Sequence, residues 1–321
     1  MSRVGKPLQV LAAVAVVLLA LAACSSQGGA QNTTTQQNFT IAMVTHEAPG
    51  DTFWDKIRNG AEAAAKQLGV TLKYSNDPDA GKQATLIQNA IDSKVDGLAT
   101  TLPTPDAIGP AAQQAVKAGI PVVAFNAGKD DYQKYGIGMY FGSDETLAGQ
   151  TVGRKIAQET PGHTICVIQE QGQVQLEARC AGVKQGNPDT EILYVNGRDL
   201  PSVQQTIGAK MQQDPNIKDV VTLGADIALA AQKAQADANS QASIATFDLN
   251  ADVAKQIQSG GIAFSVDQQP YVQGYMAVTA LWLNLTNGND IGGGGPVLTG
   301  PSIVDKTNID KIVPYTENNT R

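Results

Sequence analysis

Histidine is almost missing from this sequence, with only His46 and His163, and there are three cysteines, Cys24, Cys166 and Cys180. A metal centre built from imidazole and thiolate needs about four such ligands in one place. With only five such residues in the whole chain, such a centre is nearly excluded by count, and no cofactor is expected. Basic residues are also scarce: Lys and Arg total 23 against 30 Asp and Glu, a formal charge of −7, and the longest basic run is the pair Arg154-Lys155. A nucleic-acid partner would require a basic face, so none is expected. What the chain does have is apolar material, 42% of its 321 residues, with 17% charged. That is a folding composition and allows two or three domains.

The first residues differ from the rest. Arg3 and Lys6 precede an apolar run from Leu8 to Ala23. A basic start followed by a run shorter than the ~20 residues of a membrane span predicts a secretory signal peptide over residues 1–23. The run ends Leu21-Ala22-Ala23-Cys24. That pattern resembles a bacterial lipobox and marks Cys24 as the lipidated residue. Residues 25–38 carry no charge and almost no apolar side chain. Residues 24–38 are therefore expected to be a tether, which makes the chain an extracytoplasmic lipoprotein anchored to a bacterial membrane. Cys166 and Cys180, 14 residues apart and outside the cell in this reading, are expected to pair. Two buried reduced thiols are the alternative.

From Phe39 onward, short runs rich in Val, Ile and Leu alternate with longer Ala-rich amphipathic segments. The pattern predicts strands at 39–45, 70–75, 95–101, 120–126, 164–169, 191–196, 219–224, 243–248 and 262–267, with helices between them. Strands that are apolar throughout belong to parallel sheets covered on both faces. The class is α/β. Two doubly wound lobes are the natural division of so many βα units, with an eight-fold barrel as the alternative. In the first helix, Phe53, Ile57, Ala61, Ala64 and Leu68 define the expected buried face. Asp144 is expected to cap the helix over 144–159.

In open parallel sheets, ligands bind beyond the carboxyl ends of the strands. Those ends carry His46 to Trp54, Asn126, Phe141 to Glu145, Glu170 to Cys180, Asp226, Asp248 and Asp267 to Pro270. With these segments in view, the chain resembles the bacterial solute-binding proteins of the ribose and galactofuranose type, the sugar receptors of ABC importers. The carriers are Phe53-Trp54 with the segment 60–70, and the segments 95–108, 115–128, 141–149, 246–248 and 266–275, in family order. Repressors that share this core carry an N-terminal helix-turn-helix where this chain has its apolar run.

The resemblance implies a type I periplasmic-binding-protein-like fold, two lobes joined by a hinge crossed three times. The lobes are expected at 39–143 plus 269–297 and at 144–268 plus 298–321. It also implies the ligand contacts. Asp51 precedes an aromatic pair, Phe53 and Trp54. Asn126 stands where the family usually has Asp, and Ala127 where ribose binders often have Arg, which argues against a pentopyranose. Ser143 falls just after the first crossing. Arg179 matches the arginine of the second lobe, Asp248 the sugar-binding Asp, and Gln268 the glutamine before Pro270. Asp226 either supplies a polar contact that Gly224 and Ala225 cannot or only caps its helix. Arg198 replaces a frequent aromatic.

These residue types suit a sugar, which has apolar C–H faces for an aromatic ring and an edge of hydroxyls for Asp and Arg. With Arg179 as the only carried-over cation, the expected ligand is a neutral sugar, polyol or cyclitol, and the expected protein partner an ABC permease in the membrane. A monomer and no enzymatic activity are expected. The alternatives are a receptor for a membrane signalling protein and a carbohydrate-active enzyme using Asp51 and Asp248 as its paired carboxylates.

Overall fold

The structure is a computed structural model that describes residue 1 and residues 38–321. The expected leader, Cys24 and the tether short of Asn38 lie outside the described residues. Among the described residues, no helix is long and apolar enough to cross a membrane.

The first sheet collects β1 (Thr40–Thr45), β2 (Thr71–Asn76), β3 (Gly97–Thr100), β4 (Val122–Phe125) and β5 (Met139–Ser143), joined by α1 (Phe53–Leu68), α2 (Ala80–Asp92) and α3 (Pro105–Lys117). The second collects β6 (His163–Ile168), β7 (Thr190–Tyr194), β8 (Ile217–Thr222), β9 (Ser243–Phe247) and β10 (Phe264–Asp267). Its helices are α4 (Glu145–Glu159), α5 (Val174–Gly186), α6 (Leu200–Gln213), α7 (Ala225–Asp237) and α8 (Ala251–Ser259). The chain then returns to the first lobe as α9 (Pro270–Asn287) and β11 (Val297–Gly300), and ends in the second as β12 (Ser302–Asp305) and α10 (Val313–Glu317).

The two sheets share one order, β11-β5-β4-β3-β1-β2 and β12-β10-β9-β8-β6-β7. All pairings are parallel except β10 with β12. Helices cover both faces, so successive residues of one strand enter different cores. Ile41 and Met43 pack with Ile57, Phe125 and Leu281, while Ala42 and Val44 pack with Ile87, Leu98 and Ile108. That two-sided burial is why these strands lack polar alternation.

The chain passes between the lobes after Ser143, after Asp267 and after Gly300. The third passage differs from the expected boundary at 297: Val297, Leu298 and Gly300 pair with β5, so the first lobe keeps the strand through Gly300. Three strands, β5, β11 and β12, have no counterpart in the expected alternation. Each is four or five residues long and lies at a crossing.

Two contacts fix the parts of the fold that matter below. α9 lies against α1 at Gly60 and Gly274, where a Cβ would collide with the carbonyls of Tyr271 and Ile57. The helices therefore touch through their backbones, which seats the first turn of α1 above β1. In the second lobe, Cys166 on β6 is bonded to Cys180 on α5, as their spacing and exported setting led one to expect.

Candidate functional site

The carboxyl ends of the two sheets face each other across a cavity of ≈ 210 Å³. The lobes meet over it. The Val174 N–H donates to the Pro103 carbonyl at 2.9 Å. Gln175 from α5 lies 3.3 Å from His46 Nε2, and His46 Nδ1 lies 2.7 Å from Thr101 Oγ1. Burial, with the Arg179 charge nearby, holds the His46 imidazole down at about 3, so it is neutral. With the Gln175 amide as donor, Nε2 accepts and the ring proton sits on Nδ1.

Backbone geometry turns two site residues inward. Asn126 after β4 and Asp248 after β9 both take left-handed conformations, with φ of 63° and 67°. Asn and Asp tolerate that region better than other residues with a side chain. Both side chains join one polar chain. Gln268 Nε2 donates to Asp248 Oδ1 at 2.7 Å, and Gln268 Oε1 accepts from Asn126 Nδ2 at 3.3 Å and from Gln273 Nε2 at 3.1 Å. The orientation of the Gln268 amide is thereby set, and it links Asp248 of the second lobe to Asn126 of the first.

Charged groups from both lobes also line the cavity. Burial pushes the Asp248 carboxyl up to about 7, against the pull of Arg179 and the Gln268 hydrogen bond. Burial also raises Asp51 to about 6, although the Phe53 N–H donates to its Oδ1 at 3.0 Å. Glu170 rises to about 6, again through burial, with the Asp51 charge adding to it. Asp226 is raised by burial and drawn back by Lys56. Burial lowers the Lys56 ammonium, and Asp248, Asp55, Asp226 and Asp51 oppose that fall.

Of the expected contacts, Asp51, Phe53, Trp54, Asn126, Arg179, Asp226, Asp248 and Gln268 line this cavity. Ser143 does not. It ends β5 at the first crossing, buried, with its Oγ facing the Gly300 region of β11. The expected buried face of α1 also needs correction. Trp54, at 3% exposure, packs in the core beside Ile57 and Ala61, while Phe53 is only partly buried. Ile57, Ala61 and Ala64 are buried as expected, so the departure is confined to the ends of the face, and Trp54 stands edge-on to His46 at 4.6 Å and to Phe53 at 5.3 Å. Asp226 is not a cap, since Gly224 holds the cap position of α7.

The lining also holds His46, Glu170, Gln173 and Gln175, which lie in the strand-end segments without having been assigned a contact, Arg198, whose role was left open, and Lys56, which sequence reasoning missed. Lys56 was findable: it lies one turn after Phe53 on a helix whose first turn overhangs the carboxyl end of β1. The single-cation picture therefore fails, because Lys56 and Arg198 stand beside Arg179 in the cavity.

A model of the periplasmic binding protein domain matches residues 41–290. The chain belongs to this family. A carbohydrate transporter from Acidothermus cellulolyticus 11B, solved in complex with myo-inositol, is 56% identical, with a TM-score of 0.87 over 88% of this chain and 100% of that one. A periplasmic sugar binding protein of an ABC sugar transporter from Legionella pneumophila is 27% identical, with a TM-score of 0.77 over 82% of this chain and 100% of its own. The ribose import binding protein of Haemophilus influenzae is 28% identical over 281 residues, 83% of this chain and 90% of that protein. As a periplasmic binding protein, this chain has the family's two doubly wound lobes, and its cavity lies between their strand ends.

Proposed function

We propose that this periplasmic binding protein is an extracytoplasmic receptor that closes on one neutral, polyhydroxylated ring and presents it to an ABC importer. A cyclitol of the myo-inositol kind is the first candidate. The observation that carries the reading is the cavity itself. Its volume of ≈ 210 Å³ lies below the ~300–1,000 Å³ of sites for drug-sized ligands, which suits a single small ring. Its polar lining is rich in hydroxyl acceptors, and Phe53 and Trp54 offer apolar surface. The 56% identical relative solved with myo-inositol supports the choice within that class. The named relatives are binding and import proteins, and we read this chain as a binding protein, monomeric, and not an enzyme.

The test is titration calorimetry of the purified chain against a panel: myo-inositol, hexoses, pentoses and acyclic polyols on one side, sugar phosphates and amino acids on the other. One ligand per chain from the first group is expected. Binding only within the second group would overturn the assignment.

Localisation follows from the sequence before residue 38. We propose that Cys24 is the lipidated residue and that residues 25–38 let the lobes stand off the membrane. Replacing Cys24 by Ala should move the protein from the membrane fraction to the soluble fraction. A variant that stays wholly with the membrane would place the anchor elsewhere.

A further inference from the structure

Arg179 is held by Glu145 and Phe247 at the edge of the cavity. Along its helix, α5 meets α4 backbone to backbone. A Cβ added at Gly149, Gly153, Gly182 or Gly186 would strike a carbonyl of the opposite helix. This close approach brings Glu145, the first residue of α4, against the guanidinium. Arg179 Nε donates to Glu145 Oε2 at 2.5 Å and Nη2 donates to Oε1 at 3.1 Å. Both side chains are buried, at 3% and 7% exposure. The guanidinium lies over the Phe247 ring at 4.9 Å, and the next residue, Cys180, is bonded to β6. Arg179 lines the cavity and Glu145 does not.

The chemistry of this arrangement is specific. A guanidinium recognises a carboxylate or phosphate best through a two-point fork, with its full charge available. Here Glu145 occupies the Nε–Nη2 fork and offsets part of the charge. The Nη donors that Glu145 leaves free belong to a residue lining the cavity, and they suit one or two hydroxyl oxygens. The other lining cations are matched as well: Lys56 stands among Asp51, Asp226 and Asp248, and Arg198 beside Glu170.

We infer that Glu145 is a specificity-determining positioning residue: by occupying the fork of Arg179 and offsetting its charge, it makes the cavity accept neutral polyols and reject their carboxylate and phosphate counterparts. The inference rests on the polyol reading above and names the residue that enforces it.

The experiment compares the wild type with E145Q, which keeps the size and one acceptor but removes the charge. The probes are myo-inositol, D-glucuronate and myo-inositol 1-phosphate, each measured by calorimetry. In E145Q the ratio of neutral to anionic affinity is expected to fall by at least about tenfold, the scale of one close charge pair, chiefly because the anions bind more tightly. E145D, which keeps the charge on a shorter arm, should weaken binding generally but hold the ratio within about threefold, as the charge term is retained. It also tests the inference should E145Q not fold. Equal losses for neutral and anionic probes in E145Q would show a structural role only and overturn the inference, as would a collapsed ratio in E145D. A wild type that binds no neutral polyol overturns the ligand class, and this inference with it.

Discussion

Replacing Asp248 by Ala is expected to weaken polyol binding by about 30- to 5,000-fold, the equivalent of ~2–5 kcal/mol for a buried charged hydrogen-bonding partner. The size follows from what the carboxylate serves. It is 7% exposed, and its Oδ1 accepts from Gln268 at 2.7 Å. Arg179, whose charge acts on it, lines the same cavity. Deletion leaves the Gln268 amide and the ligand hydroxyls in a desolvated space without their acceptor, and removes the anion beside Arg179. Such orphaned groups cost more than the bond itself was worth. Asp248 also holds a left-handed backbone at φ 67°, which Ala adopts less readily than Asp or Asn. Asp248→Asn is therefore the companion variant. It keeps the backbone and the shape, and it should retain the melting temperature while still losing much of the affinity. Calorimetry on both, with thermal unfolding alongside, separates binding from folding. An Ala variant within threefold of the wild type would move the centre of the site away from Asp248.

The same residue shows what could be read before the structure. Asp248 ends an apolar strand, and in a parallel sheet that position faces the ligand crevice. The rule located eight of the nine expected contacts at the cavity, and the resemblance supplied their identities. It failed for Ser143 because β5 is short and leads directly into a crossing, so its end points to the hinge. Phe53 and Trp54 exchanged burial because both are apolar and adjacent. Periodicity placed Ile57, Ala61 and Ala64 in the core, but it cannot choose between two adjacent apolar residues at the start of α1 until the contact at Gly60 and Gly274 is known. Glu145 was out of reach for a different reason. It is separated from Arg179 by 34 residues, and only the backbone contact of α4 with α5 brings the two together. Pairing of buried charges is a tertiary fact, whereas strand ends are a local one.

Binding is also expected to release protons, and to tighten as pH rises from about 5 to about 7. Burial raises the Asp248 carboxyl to about 7 and those of Asp51 and Glu170 to about 6. The groups facing Asp248 are Arg179 and Gln268, which favour its ionised form, and Asp51 and Asp267, which oppose it. His46, neutral from about 3 upward, adds no titration in this range. A polyol donates hydroxyl hydrogen bonds, and a carboxylate accepts them more strongly than a carboxylic acid does. The ligand therefore lowers the carboxyl pKa and expels its proton. By linkage, affinity climbs with pH up to the ligand-free value and then levels, at most about tenfold per pH unit for each proton released. Stability runs the opposite way. An Asp whose folded value stands above its ordinary 3.8 binds more protons in the native state than in the unfolded one between those two values. Asp219, raised by burial to about 6, contributes in the same sense. The ligand-free protein should thus melt at a higher temperature at pH 5 than at pH 8, while the stabilisation gained from ligand grows over the same interval. Calorimetry at pH 6.5 in buffers of different ionisation enthalpy counts the protons directly, and Asp248→Asn should flatten the slope. Proton uptake on binding, or an affinity that does not change from pH 5 to pH 8, would show that the ligand hydroxyls do not meet these carboxylates.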